Sequence, residues 1–364
     1  MDDKRKTQQA FERATTYAKT FLGDLRDSEL PTTLRRDLKD TYQFYLDDET
    51  REELARMGTC KRGLYSSWYL IKSLFLKLAP TRRLLLFLGV VVTLMGTPND
   101  TGEIVFGMLC ILFVLGLELK DKLLARDELE EGRAVQIALM PSENPSFPGW
   151  EIWLHTTPAN DVGGDLVDHL HIDDNRLALT LGDVAGKGLP AALMMAKLQA
   201  TIRALAPISD SLSELGEQLN TIVCRDGLPS RFASLVHLEI RDEPGVVHLL
   251  NAGHLPPLII RKEGIDRLPR GSAAIGLMRD AKFEEQTAHL DLNDIMVIYS
   301  DGLTEARNEI GRFFGEDRLR DLLRPLRSLS ASQAGTRILG AVKSFKQGVQ
   351  ASDDLSIILL KRVA

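Results

Sequence analysis

Two charge-free apolar runs, Leu84 to Gly96 and Ile104 to Leu117, stand one short polar turn apart and constrain the fold more than any other feature of this chain. A helix rises about 1.5 Å per residue, and ~20 apolar residues are needed to cross the hydrocarbon layer of a bilayer. Each run is shorter than that, so the pair fits either a buried hairpin in a soluble core or a pair of membrane spans. The flanks favour the membrane. Arg82 and Arg83 precede the first run, and Lys120, Lys122 and Arg126 follow the second, whereas the turn holds Asp100 and Glu103 and no Lys or Arg. Cytoplasmic flanks are the ones enriched in Lys and Arg, so both ends are expected in the cytoplasm with Thr97 to Glu103 on the far side. Tyr65, Trp68 and Tyr69 lie just upstream, where an interfacial aromatic belt would sit. The expected location is the inner membrane, multi-pass, with the C-terminal part of the chain cytoplasmic.

The hairpin divides the 364 residues into segments of different character. Residues 1–80 carry helical spacing, with Phe11, Ala14, Tyr17, Ala18, Phe21 and Leu22 on one stripe and Leu34, Leu38, Tyr42 and Tyr45 on another after Pro31. No catalytic constellation is visible there, and a helical module is expected. Residues 81–118 hold the hairpin. Residues 119–147 form a charge-rich connector helix stopped at Pro141, with Leu119, Leu123, Leu129 and Ile137 as a seam that Gly132 interrupts. That seam fits a contact between two copies of the chain or a passive tether. Composition narrows the partners: 45 Lys and Arg against 51 Asp and Glu leave a net charge of −6, the wrong sign for a nucleic-acid partner. Cys60, Cys110 and Cys224 are odd in number and in no metal spacing, which excludes a disulfide framework or a zinc site and points to a reducing compartment. The N-terminus opens on polar sequence, without the apolar core of a secretory signal.

From residue 148 to 364 the pattern turns to short strands: Glu151 to His155, Leu166 to Ile172, Arg176 to Leu181, Ala233 to Ile240, Val246 to Asn251, Pro257 to Arg261, Asp294 to Tyr299 and Ser356 to Lys361. Helices are expected over Leu189 to Ala206, Leu212 to Cys224, Glu316 to Leu326 and Ser332 to Phe345. Strands and helices that do not alternate regularly describe an α+β layered domain. Four acidic clusters sit where strands meet glycine turns: Gly163-Gly164-Asp165, Gly182-Asp183-Val184, Ser300-Asp301-Gly302 and Ser352-Asp353-Asp354. Carboxylates drawn together at strand ends repel one another and need cations or protons. An all-oxygen set without Cys or well-placed His suits Mg²⁺ or Mn²⁺, and a two-metal site could activate a water for phosphoryl displacement. Ordinary turns, a calcium site or structural carboxylate pairs would use the same residues.

The wording and order of these motifs resemble the SpoIIE-like (RsbU-like) branch of the PPM-type metal-dependent protein serine/threonine phosphatases. The resemblance runs from about Glu131 to Arg362 and covers RAVQIALMP, PANDVGGDLVD, GDVAGKGLPAALM, NAGHLPP, DIMVIYSDGLTEARN and DDLSIIL. It implies a β-sandwich flanked by helices (αββα) behind the helical N-terminal region and apolar hairpin. It implies two divalent cations, Mn²⁺ or Mg²⁺, on Asp165, Asp183, Asp301 and Asp353, with the Val184 carbonyl contributing and Asp354 as the fallback for Asp353. Asp183 and Asp301 would hold the nucleophilic water. The implied substrate is a phosphoserine or phosphothreonine protein, usually a STAS-type anti-sigma-factor antagonist in a partner-switching pathway, and the connector helix is implied to pair a homodimer. Leu166-Val167 replaces a more frequent aromatic pair and Asp161 a commoner glutamate, without loss of a ligand. Lys187, at the entry to a helix, could meet a phosphate or simply be solvated. His254 is expected to make structural hydrogen bonds, His169 and His171 to pack or face solvent, and Met194 and Met195 to fill core. The rival reading is a catalytically silent scaffold that holds a phosphoprotein at the membrane.

Overall fold

The computed structural model describes residue 54 and residues 57–96, 101–226 and 231–364. The helices expected before Leu54, and the turn expected on the far side of a membrane at 97–100, lie outside the described residues. The chain divides into two compact units, Met1–Lys122 and Leu123–Ala364.

In the first unit, helix α1 spans Thr59–Lys77, α2 spans Pro80–Met95, and α3 starts at Thr101. Pro80 opens α2 at a position where its missing N–H costs nothing. Gly96 lies against Ile104, and the Arg82 guanidinium bonds Glu118 at 2.7 Å and Asp121 at 2.6 Å, so α2 and α3 run antiparallel. Small residues let them touch: a Cβ on Gly107 would stand 2.2 Å from the Thr93 hydroxyl and 2.7 Å from the Gly89 carbonyl. Close approach of this kind is how helices pair without a hydrophobic drive between them. The outer surface stays apolar and open, with Leu84, Phe87, Leu94, Phe106, Leu112 and Phe113 all exposed.

The second apolar run does not end at Leu117. It continues through the charged segment as one helix, α3, Thr101–Leu139, whose 39 residues extend about 58 Å. Gly132 does not break it, and Pro141 follows its end. Among the described residues α3 alone is long and apolar enough to cross a membrane, with a mean hydropathy of 2.1 in a stretch of which 11% is buried. Helix α2, at 16 residues, spans about 24 Å and falls short, so two equivalent spans are not what the helices provide.

The second unit holds the last part of α3 and a layered domain. Strands β1 (Trp150–Thr157), β2 (Asp165–Asp173) and β3 (Arg176–Val184) lead into helices α4 (Leu189–Leu205) and α5 (Leu212–Asp226). Then come β4 (Ala233–Arg241), β5 (Val246–Ala252), β6 (Leu258–Ile260), β7 (Ile265–Arg267), β8 (Glu285–His289) and β9 (Ile295–Tyr299). One helical turn, α6 (Asp301–Thr304), precedes α7 (Gly315–Leu323), a 3-10 turn at Arg324–Ser328, α8 (Ala331–Lys346) and β10 (Leu355–Arg362). Two antiparallel sheets result, ordered β1-β10-β9-β6-β7 and β2-β3-β4-β5-β8.

Three apolar layers make this an αββα sandwich. Leu179, Leu181, Leu238, Met296, Ile298, Ile358 and Leu360 fill the space between the sheets. Helices α4 and α5 cover one outer face through Met195, Leu198, Leu215 and Leu219, and α7 and α8 cover the other through Leu319, Leu323, Ile338 and Val342. On β10, Ile358 and Leu360 face the inter-sheet layer while Ile357 and Leu359 face the helices. A strand buried on both faces reads as a continuous apolar run, which is why these strands stood out. Strands β7 and β8 were not expected from the sequence: Ile-Asp-Arg and Glu-Gln-Thr-Ala-His lie at sheet edges, half in water, and carry no such run.

Burial fixes the charge of one core side chain. His237 on β4 is fully buried, its Nδ1 2.8 Å from the Thr180 hydroxyl and its Nε2 without a partner among the described residues, and burial pushes its pKa down to about 4. The unfolded chain therefore binds the proton more readily, so His237 stabilises the fold fully above pH ~6.5 and the stabilisation drains away between pH ~6.5 and ~4. The full effect is about 3 kcal/mol, and denaturant melts at pH 7 and pH 4.5 should show a smaller acid loss in His237→Gln than in the parent. Equal losses in the two proteins would contradict this.

Candidate active site

Each acidic cluster lies at a strand end on one edge of the sandwich. Asp165 opens β2 and pairs in register with Asp183 near the end of β3, while Asp301 follows β9 and Asp353 precedes β10. The carboxylates feel one another. Burial pushes Asp165 well above the usual carboxylate range, reinforced by Asp183 and Asp354, with the Ser356 and Ser300 hydroxyls acting in the opposite sense. Asp183 is pushed up to about 6 by burial and then by Asp301, Asp353 and Asp354. Asp301 is raised by burial, Asp353 and Glu305.

The donor chemistry fits a hard divalent cation. Among the described residues Asp165 Oδ2 is buried without a hydrogen-bond partner, which is costly for an acceptor unless something else meets it. At Gly164 a Cβ would come within 3.1 Å of the Val184 carbonyl oxygen, so glycine keeps that oxygen approachable. The carboxylates nevertheless stand apart: among the described residues no group of three or more His, Cys, Asp or Glu side chains is drawn together tightly enough to hold a metal ion. Asp165, Asp183, Val184, Asp301 and Asp353 thus share one edge without enclosing a coordination sphere.

The two adjacent aspartates before β10 have different surroundings. Asp354 is buried, and its carboxylate accepts backbone N–H groups from Ala159 at 2.7 Å, Gly164 at 2.6 Å and Asp165 at 3.3 Å. A Cβ on Gly163 would stand 2.5 Å from its Oδ2, so the glycine is what admits the carboxylate. Asp353 is half-exposed and pairs with Lys187 Nζ at 2.9 Å, while Lys187 also donates to the Ser352 carbonyl at 2.6 Å. Lys187, read from the sequence as a phosphate contact or a solvated side chain, is here engaged by Asp353.

Supporting contacts come from distant parts of the chain. The Gln136 side-chain amide, buried on α3, donates to the Gly163 carbonyl at 2.7 Å and accepts from the Gly163 N–H at 3.0 Å, and Gln199 of α4 donates to the Leu139 carbonyl. Gln136 belongs to the quoted RAVQIALMP block, but nothing in its spacing distinguishes it from a solvated helix residue. Asp168 takes a bidentate contact from Arg203 at 2.8 and 2.7 Å, tying β2 to α4. His254 bridges the sheets just before Asp301: its Nε2 lies 3.2 Å from the Tyr299 carbonyl and its Nδ1 2.8 Å from the Ser234 hydroxyl. Burial lowers its pKa to about 4, so the neutral ring donates through Nε2 and accepts through Nδ1. His169 and His171 meet edge to face away from the acids, and Met195 is core.

A family profile described as Stage II sporulation protein E (SpoIIE) matches residues 173–363. The match takes in Asp183, Val184, Asp301 and Asp353, while Asp165 precedes it. The chain is 28% identical over 282 residues to Protein IcfG of Synechocystis sp., covering 68% of this chain and 43% of IcfG. It is 26% identical over 239 residues to the phosphoserine phosphatase RsbU of Bacillus subtilis, covering 65% of this chain and 70% of RsbU. Among solved structures, the SiaA-PP2C domain of Pseudomonas aeruginosa superposes with a TM-score of 0.58 at 19% identity, over 66% of this chain and 98% of that one. The RsbU and RsbW domains of Rv1364c from Mycobacterium tuberculosis superpose at 0.52 with 24% identity, over 60% and 62% of the two chains.

The contrast between the paired aspartates is measurable as stability. Asp354→Ala leaves three backbone N–H groups without their acceptor, at about 1–3 kcal/mol for each fully buried one. Its thermal midpoint should fall by at least ~6 °C, whereas Asp353→Ala, which removes a half-exposed ion pair, should move it by no more than ~3 °C. Equal shifts would mean that Asp354 does not hold the loop.

Proposed function

The chain belongs to the Stage II sporulation protein E (SpoIIE) family, and from that premise we propose that it is a divalent-metal-dependent protein serine/threonine phosphatase. The observation that carries this reading is the set of aspartates from four separate strand ends, of which Asp165, Asp183 and Asp301 are raised in pKa by burial and by neighbouring acids, with Asp165 Oδ2 left without a partner among the described residues. Only cations or protons reconcile such a set. Asp165, Asp183, Asp301 and Asp353, with the Val184 carbonyl, are the residues we assign to hold two cations, Mn²⁺ or Mg²⁺. When bound, such ions supply a water that is acidic near neutral pH and a positive clamp for phosphoryl oxygens. Asp183 and Asp301 would fix the orientation of that water, and burial around Asp165 and Asp183 keeps bulk solvent from screening the charges.

The substrate we propose is a phosphoserine or phosphothreonine protein, of the STAS antagonist kind used in partner switching. Membrane attachment is part of the proposal. Helix α3 has the length and hydropathy to cross a bilayer, and the exposed apolar surface of α2 beside it would otherwise face water. The domain bounds 81–118, 119–147 and 148–364 follow from that reading. Leu119, Leu123 and Ile137 are exposed along one face of α3 and would form the contact between two copies. The silent-scaffold reading draws on one observation, that the carboxylates are not closed around an ion-sized space.

Hydrolysis of a phosphoserine peptide with and without Mn²⁺ separates the two readings. Asp183→Asn and Asp301→Asn should each lower turnover at least a hundredfold, about 2.7 kcal/mol or more in the barrier, with unchanged circular dichroism, and EDTA should do the same to the parent. Full activity in EDTA or in either variant would overturn the mechanism. For the membrane, the full chain should sediment with membranes, resist carbonate extraction, and run as a dimer in detergent. Recovery as a soluble protein without detergent would remove the anchor, and a monomer in detergent would remove the α3 contact.

A further inference from the structure

A cavity of about 440 Å³ opens beside the acidic edge, between α8 and the segment leading into β10. Its size is that of a ligand pocket rather than a packing defect. Leu339 and Val342 of α8 and Val349 beyond it make an apolar floor, while Lys343 and Lys346 stand on the same helix at the spacing that puts them beside that floor. Neither lysine forms an ion pair among the described residues, in a chain whose net charge is −6. Asp353 lies at one end of the cavity, but Asp165, Asp183 and Asp301 do not line it.

Resting on the phosphatase reading, we infer that this cavity docks the segment of the protein substrate that flanks the phosphorylated residue. An apolar side chain of that segment enters over Leu339, Val342 and Val349, and a neighbouring carboxylate meets Lys343 and Lys346. Continuity with the acidic edge through Asp353 is what selects a flanking segment: an extended chain held here passes directly to the edge where the phosphate is handled. A phosphate seated on the two lysines would instead be held away from Asp183 and Asp301. Two cations that no acid among the described residues neutralises are the complement of an acidic flank, and attraction across such a rim sets specificity more than barrier height. The cavity therefore acts on substrate capture, and a small substrate without flanks does not use it.

The test uses the full chain with three probes: a phosphoserine peptide flanked by Leu, Asp and Glu, the same peptide with Lys in place of the acids, and p-nitrophenyl phosphate. The acidic peptide should be preferred at least tenfold in kcat/KM, mostly through KM. The double variant Lys343→Glu, Lys346→Glu should abolish that preference while its p-nitrophenyl phosphate turnover stays within twofold of the parent. Val349→Asp should weaken both peptides and spare p-nitrophenyl phosphate. Equal use of the two peptides by the parent, or a parallel fall with p-nitrophenyl phosphate in the double variant, would overturn the inference. A parent that hydrolyses none of the three would refute the phosphatase reading instead. Docking is then decided by fluorescence anisotropy: acid-selective peptide binding lost in the double variant upholds it, and non-selective or unchanged binding ends it.

Discussion

The Asp354 carboxylate holding the N–H groups of Ala159, Gly164 and Asp165 is the contact on which the acidic edge depends. It joins the loop before β10 to the loop between β1 and β2, segments almost two hundred residues apart. A buried carboxylate that accepts several N–H groups is satisfied without a counter-cation, because those dipoles replace the water it gave up. The neighbouring acids lack this. Asp165 has a buried oxygen with no donor among the described residues, and Asp183 faces the like charges of Asp301, Asp353 and Asp354. One acid of the cluster is thus spent on architecture and Asp353 is paired with Lys187, while Asp165, Asp183 and Asp301 are left in an electrostatic condition that added positive charge relieves.

Around this edge the domain is held by contacts of two kinds. The sheets and helices are secured by three apolar layers, which specify the sandwich but not the placement of individual loops. Loop placement comes from a few polar contacts: Gln136 on Gly163, Arg203 on Asp168, and His254 between Ser234 and the Tyr299 carbonyl. Each is buried or partly buried, where a lost partner costs more than in water.

The first unit is governed by different physics. Helices α2 and α3 meet through Gly89, Thr93 and Gly107 and leave large side chains pointing outward, the reverse of a soluble helical pair. Arg82 with Glu118 and Asp121 closes the base of the hairpin, so one of the basic residues read from the sequence as a flank of the apolar run is matched by acid within the protein.

Much of this was legible in the sequence because it depends on local pattern. Strands buried on both faces, such as Ser356 to Lys361 and Asp294 to Tyr299, announce themselves as apolar runs, and aspartate beside glycine at their ends marks where chemistry can gather. The motif resemblance led to the same sandwich. Edge strands β7 and β8 escaped because half-wet strands need no apolar run. The connector helix expected up to Pro141 runs on through Gly132, because one glycine lowers helix propensity by only about 1 kcal/mol, less than the surrounding residues supply. Asp353 and Asp354 are the same residue type side by side, and no local rule separates them. Their division into a surface pair with Lys187 and a buried loop clasp was decided only by tertiary structure, because it depends on which backbone N–H groups arrive from the β1–β2 loop and the first residue of β2. The same holds for Gln136, for His254, and for the two lysines beside the α8 cavity: their residue types were fixed by sequence, and what they touch was fixed by how the layers close over one another.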